Sequence, residues 1–366
     1  MSTLPEDLKS KALETPNIPA AVVCPNQESI LSAVIEGKNM NLIDPTLIGN
    51  KSLIAETAKN LSLDISNFNI VEAKDEEESA SVACQMSNEN RSKIIIKGNL
   101  HTDILMRSYL KKEFNLLDGR RLSHIWHMTT PQLEKPLFIT DGALNVFPRV
   151  DIKLQILKNA VQFYNKLNSN KPKVAILSGT EDPIESMPSS VDAKKVMELA
   201  FEEKINAFIH GPLAFDNAVS EEAATIKGIK NDVAGDADIL LVPNLETGNS
   251  LSKIMVYFMN ACAAGIVIGG KVPVVVPSRA DSKNSKIHHR QPLIINKSKI
   301  NDYLNLKNNA QEILQSIKPP DLNFYQIGLE INNPKNNEAD KSFKVITVAP
   351  NNLGKLLTIS SISINI

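Results

Sequence analysis

The sequence predicts an α/β fold with mostly parallel sheets, and three observations carry that expectation. Short apolar, β-branched runs recur from residue 20 onward. Longer stretches of helical period separate them, as a parallel neighbour requires, because it is reached only through a crossover of about a dozen residues or more. Glycine, proline and polar side chains cluster just after the runs, where strand ends and helix N-termini offer unpaired N–H groups to ligands.

In order, the expected strands are AAVVC (20–24), NLIDP (41–45), FNIVEA (68–73), KIIIKG (93–98), LSHIWHM (122–128) and LFITD (137–141). A second series follows with KVAILSG (173–179), AFIHG (207–211), DILLVPN (238–244), GIVIGG (265–270) and VPVVVPS (272–278). The clearest helix spans 151–167, where Ile152, Ile156, Ala160 and Tyr164 recur every four residues with Leu157 and Val161 beside them. The uncharged run from Ile254 to Gly270 contains Asn260, Gly265, Gly269 and Gly270, and reads as a buried helix followed by a strand rather than a membrane span. Beyond Ser282 the alternation fades, since Asn, Lys and Ile make up 37 of the last 84 residues, and a boundary is expected there.

A chain of 366 residues suits two or three domains. Forty basic against 41 acidic residues give a net charge of -1, which leaves no general electrostatic grip on nucleic acid or an anionic membrane. Cys24, Cys84 and Cys262 form no CxxC pair, so neither a zinc ribbon nor a disulfide framework is supported, and a reducing cytoplasm is the simplest compartment. The N-terminal MSTLPEDLKSKALETPNIPA lacks the basic start and apolar stretch of an export signal. Neither GxGxxG, GxxxxGK[ST] nor GxSxG is present, so nicotinamide, nucleoside triphosphate and serine hydrolase chemistry have no local support.

Chemistry is concentrated in a few segments, each with a plainer alternative. In PSRADS (277–282), Arg279 offers paired donors to a phosphate in a way lysine cannot copy, Ser278 can hydrogen-bond a substrate or leaving group, and Asp281 can accept a proton. The same residues also describe a turn in which Ser278 and Asp281 cap a helix and Arg279 makes a surface ion pair. KGNLHTD (97–103) sets Lys97, His101 and Thr102 at a helix start, suited to phosphate or carbonyl recognition or to a plain cap. Arg120 and Arg121 suit an anion or a solvated turn, and Asn145 follows the LFITD strand. Asn217, Asn244 and Asn249 stand before or within helix starts beside Asp216 and Glu246, fit either for orienting a polar ligand or for capping. His288 and His289 lack evident carboxylate or cysteine partners, and no metal site is expected.

Together and in this order, KGNLHTDILM, GRRLSHIWHM, LFITDGALNVFP, KVAILSG, MPSSVDA, HGPLAFDNAVSEEAATIKGI, VAGDADILLVPNLETGNSL and KVPVVVPSRADS resemble the phosphate acetyltransferase and phosphate butyryltransferase family. The resemblance covers roughly 20–282 and is strongest to the transferase part of bifunctional enoyl-CoA hydratase/phosphate acetyltransferase chains, with no room before residue 20 for a hydratase module. It implies a two-domain fold of the isocitrate/isopropylmalate dehydrogenase type with an interdomain cleft. One domain would be 20–142 completed by about 271–282, the other 143–270, with 283–366 a divergent segment.

The resemblance further implies a homodimer and the reaction of acyl-CoA with phosphate to give acyl phosphate and CoA, acetyl or butyryl in specificity. Coenzyme A would be a substrate, with no redox cofactor or metal. Carried over residue by residue, Ser278 and Arg279 match the family's Ser-Arg motif and would act at the reacting phosphate. Asp281 is the nearest carboxylate and stands as the base, because KNSKIHHRQ follows Ser282 where the family continues a helix to its catalytic aspartate. Lys97, His101, Thr102, Arg121, Asn145, Asn217, Asn244 and Asn249 would bind substrate. The rival reading is a non-catalytic CoA-binding remnant whose Asn-, Lys- and Ile-rich end comes from an out-of-frame reading of AT-rich DNA. A metal-dependent dehydrogenase of the same fold would need a nicotinamide site and clustered aspartates, which the sequence does not offer.

Overall fold

The computed structural model describes residues 6–276, and each of the eleven expected strands has a counterpart among them. Helix α1 (Glu6–Leu13) leads into β1 (Ile18–Val23), α2 (Glu28–Asn39), β2 (Ile43–Gly49), α3 (Lys51–Asn60), β3 (Asn69–Glu72), α4 (Glu76–Asn88), β4 (Ile94–Lys97) and α5 (Thr102–Tyr109). After a 3-10 turn at Lys112–Phe114 come β5 (Ser123–Thr129), β6 (Leu137–Thr140), α6 (Val150–Leu167), β7 (Lys173–Leu177), α7 (Pro188–Glu202) and β8 (Phe208–Leu213). The described chain ends with α8 (Phe215–Val219), α9 (Glu221–Ile226), β9 (Ile239–Leu241), α10 (Leu245–Phe258), β10 (Cys262–Ile268) and β11 (Val274–Val275).

All eleven strands join one sheet in the order β3-β2-β1-β4-β11-β10-β5-β6-β9-β7-β8. Most pairings are parallel, but β11 with β10, β10 with β5 and β5 with β6 are antiparallel. Following the pairings across the sheet, β3, β2, β1, β4 and β11 point one way and β6, β9, β7 and β8 the other. The strand carboxyl ends of the two groups therefore lie at opposite ends of the sheet.

Alternation along the strands fills a core on each face of each half. Val22 and Leu47 meet Leu31, Val34 and Ile54 from α2 and α3, while Ala21, Val23 and Ile95 meet Ala83, Cys84 and Leu105 from α4 and α5. In the second half Val174, Ile176 and Leu241 pack on α6 and α7, and Ala175, Leu177 and Leu240 share the other face with Met255 of α10. The four-residue recurrence in α6 holds, with Ile156, Leu157, Ala160, Val161 and Tyr164 buried.

Two expectations need correction. The NLIDP strand does not end at Pro45 but runs to Gly49, because Leu47 and Ile48 are wholly buried. Pro45 is tolerated within it, since β3 begins to pair with β2 only at Thr46 and the missing N–H breaks no bond of that ladder. The helix expected to be buried from Ile254 onward is α10, whose last turns instead expose Ile254, Tyr257 and Phe258.

The seam strand β5 carries an unusual core residue. His124 is fully buried, packs edge-on against Trp126 at 4.6 Å between ring centroids, and lies over Gly265 of β10, where a Cβ would come within 2.8 Å of its Nε2. Both of its ring nitrogens and Nε1 of Trp126 lack a hydrogen-bond partner among the described residues. Burial lowers the His124 pKa to about 4. The unfolded chain takes up this proton near pH 6.5 and the folded chain only near pH 4, so stability falls as pH drops through that window. At about 1.4 kcal/mol per pH unit, we expect denaturant unfolding to show the protein losing about 2 kcal/mol more than His124→Leu between pH 7 and 4.5. Equal pH dependence in the two proteins would contradict this assignment.

Candidate functional site

Polar residues gather at both ends of the sheet. At the first, β1 and β4 finish side by side, and Gly98 lies so close to β1 that a Cβ there would come 2.3 Å from the Cys24 carbonyl oxygen. The backbone N–H of Gly98 donates to the Val23 carbonyl at 2.8 Å and that of Asn99 to the Cys24 carbonyl at 2.7 Å. This turn delivers His101 to the N-cap position of α5, with Thr102 as the first helical residue. His101 does not cap α5 with its side chain. Its backbone N–H donates to Glu76 Oε2 at 3.1 Å, and its exposed ring has Nδ1 3.6 Å from the same oxygen. Lys97 Nζ donates to the Gly98 carbonyl at 3.1 Å.

Strand β11 lies beside β4, with Val275 opposite Ile96. Ser278, Arg279 and Asp281 fall outside the described residues, as do His288 and His289.

At the opposite end the structure brings Arg121, Asn145, Asn244 and Asn249 onto one assembly. Asp141, directly after β6, is buried, and its carboxylate accepts the backbone N–H groups of Ala143 at 2.9 Å and Leu144 at 3.0 Å. Burial pushes this carboxyl above the ordinary aspartate value, and the hydrogen bonds, including one from the His124 backbone, pull in the other direction. Buried Asn145 donates its Nδ2 to Asp141 Oδ2 at 2.6 Å and to the Leu122 carbonyl at 2.9 Å. With Nδ2 committed to two acceptors, its Oδ1 faces outward and accepts Arg121 Nε at 2.8 Å.

Arg121 is fixed through its backbone as well. Its N–H donates to Gln155 Oε1 at 2.9 Å and its carbonyl accepts Asn159 Nδ2 at 2.7 Å, both from α6. Its neighbour behaves differently, because Arg120 is engaged by Asp118 at 2.6 Å and by Gln162. Asn244 caps α10, accepting the Thr247 N–H at 2.9 Å, and Asn249 Nδ2 donates to the Gly142 carbonyl at 3.3 Å. For Asn244 the capping alternative is therefore realised.

Asn217 stands apart from this assembly. It is buried after β8 and donates Nδ2 to Glu181 Oε1 at 2.6 Å, and Glu181 is also paired with Lys227 at 3.0 Å. Despite partial desolvation, those partners hold the Glu181 carboxyl below its ordinary value. Glu76, Asp141 and Glu181 are the carboxylates that organise these polar clusters. Only Asp141 carries a local signal, as the polar end of the LFITD strand, whereas Glu76 and Glu181 reach partners 25 and 36 residues away. Among the described residues no three His, Cys, Asp or Glu side chains gather as metal ligands.

Residues 77–290 match the family described as phosphate acetyl/butaryl transferase. The chain is 39% identical over 267 residues to the phosphate acetyltransferase of Rhizobium meliloti, covering 73% of this chain and 84% of that one. It is 35% identical over 284 residues to the phosphate butyryltransferase of Clostridium beijerinckii, covering 77% and 94%. Among solved structures, the branched-chain phosphotransacylase of Enterococcus faecalis V583 is similar with a TM-score of 0.64 at 34% identity, covering 74% of this chain and 95% of that one.

The Gly98 turn can be tested directly. Because the clash in Gly98→Ala is with backbone, it cannot be relieved by a side-chain rotation. We expect Gly98→Ala to lose about 2 kcal/mol or more in denaturant unfolding. A change within about 0.5 kcal/mol, the range of a neutral surface substitution, would contradict the packing described.

Proposed function

The chain belongs to the phosphate acetyl/butyryltransferase family, and from that premise we propose how its residues perform the family's reaction. The protein is a phosphate acyltransferase, converting acyl-CoA and phosphate to acyl phosphate and CoA. The observation that carries this is the match, at 39% and 35% identity, to an acetyltransferase and a butyryltransferase over 84% and 94% of their lengths. The alternative of a non-catalytic CoA-binding remnant is not favoured by these relatives.

In the direction of thioester formation, the CoA thiol attacks the acyl phosphate carbonyl after losing its proton. A free thiol has a pKa near 8.5, so a nearby base raises the thiolate fraction at neutral pH. Asp281 is assigned that role. As the tetrahedral species forms, charge grows on the carbonyl oxygen and then on the departing phosphate, and Arg279 supplies paired donors there with Ser278 beside it. Strand β11, paired with β4, ends beside the segment that carries Lys97 and His101. Lys97 and Thr102 then bind the reacting phosphate or carbonyl.

Direct displacement is preferred to an enzyme-bound thioester. Cys24, at this end of the sheet, is buried, and burial raises its thiol pKa, while that of Cys84 is pushed up to about 12. Neither is a ready nucleophile.

The same reading takes 20–142 with 271–282, and 143–270, as the two domains of an isocitrate/isopropylmalate dehydrogenase-like fold. Its cleft excludes water from the acyl phosphate. It also takes the protein as a cytoplasmic homodimer using no metal or redox cofactor. No helix among the described residues is long and apolar enough to cross a membrane.

The test is thioester formation from CoA with acetyl phosphate or butyryl phosphate. We expect turnover by the full chain and a loss of about 100-fold or more in kcat for Arg279→Ala, the scale of removing one oxyanion donor. Equal turnover in the variant would reject Arg279 as the stabilising group.

A further inference from the structure

Arg121 is exposed, and among the described residues its guanidinium has one hydrogen-bond partner, Asn145, and no ion-pair partner. Three observations set it apart from a solvated surface arginine. Its Nε is held by a buried amide whose orientation is dictated by Asp141 and the Leu122 carbonyl. Its backbone is held on both sides by α6. Its carbonyl is crossed so closely by Gly269 that a Cβ there would approach within 2.3 Å. With Nε so used, the two Nη groups remain as a planar pair of donors, the geometry that matches two oxygens of a phosphate. Arg120, one residue away, has its guanidinium engaged by Asp118 and Gln162.

The register places this fork relative to the proposed reacting end. Ile96, Val275, Ile266 and Ile125 lie on one line across the sheet. Lys97 is one residue beyond that line and Arg121 four residues before it in the same strand direction, five steps in all. At about 3.3 Å per residue the two are roughly 17 Å apart along the strands alone. One phosphoryl group cannot bridge that gap. Of the reaction's substrates, CoA carries phosphates at a distance from its reacting atom, because the pantetheine arm separates the thiol from the nucleotide.

We propose that Arg121, with Asn145 as its positioning residue, forms a phosphoryl-recognition fork for the nucleotide end of coenzyme A, separate from the acyl-transfer end. The proposal rests on the reading that places chemistry near Lys97 and Arg279. Its second requirement is the relay from Asp141 through Asn145, which keeps the Nη groups aimed outward.

Direct binding and kinetics test it together in the full chain. Calorimetric titration with adenosine 3′,5′-bisphosphate is expected to show binding weakened at least 10-fold by Arg121→Ala and only partly restored by Arg121→Lys, since an ammonium lacks the fork. In thioester formation, Arg121→Ala should raise the KM for CoA about 10-fold or more while moving that for acyl phosphate less than twofold. Dephospho-CoA and pantetheine, which lack one or all of the phosphates, should show smaller effects of the substitution. Asn145→Ala should weaken binding in the native background and cost nothing further in Arg121→Ala, which a merely structural role would not produce. Unchanged binding and KM in folded Arg121→Ala would overturn the proposal, as would a rise confined to acyl phosphate. If the chain binds the nucleotide fragment through Arg121 but fails to turn over, the acyltransferase reading fails and the fork stands.

Discussion

The antiparallel seam formed by β10 and β5 is the constraint on which the rest of the structure depends. A wholly parallel sheet would place the carboxyl ends of its strands, and the helix N-termini that follow them, along one edge. Here the direction reverses at the seam, so β4 delivers its following loop to one end and β6, β8 and β9 deliver theirs to the other. The seam is held by seven paired residues in each strand, from Cys262 opposite Thr129 to Ile268 opposite Ser123. Gly265 leaves room for the edge-on Trp126 and His124 rings, whose polar atoms are buried without hydrogen-bond partners among the described residues. Such unsatisfied groups are costly, and the lowered His124 pKa is the electrostatic sign of the same burial.

From this reversal the chemistry divides. The Gly98 turn, clamped to the end of β1, presents Lys97, His101 and Thr102 beside the end of β11. At the far end Asp141 collects four donors and uses Asn145 to set Arg121. A small anion engages one end only, whereas an elongated substrate with a reacting atom at one end and phosphates at the other is suited to both.

Much of this was legible in the sequence, and what was not has identifiable physical causes. The strands announced themselves because a parallel strand covered on both faces is a continuous apolar run, and α6 because one apolar stripe recurs at helical spacing. Residues that end such runs, among them Lys97, Asn145 and Asn244, could be found as strand-end polar groups. Their partners could not: Glu76 meets His101 and Glu181 meets Asn217 only through the sheet's topology. The difference between Arg120 and Arg121 was also invisible, because it depends on which neighbours, Asp118 or Asn145, the turn sets within reach. The exposed end of α10 misled because an apolar run without charges looks the same whether or not the fold covers it.

The most direct measurement of whether one substrate spans both ends of the sheet is hydrogen–deuterium exchange of the full chain with and without saturating CoA. Slowed exchange is expected in two separated segments, Gly98–Thr102 and the Arg121 and Ala143–Asn145 backbone, in the same titration. Protection confined to either segment alone would contradict the division of labour imposed by the seam.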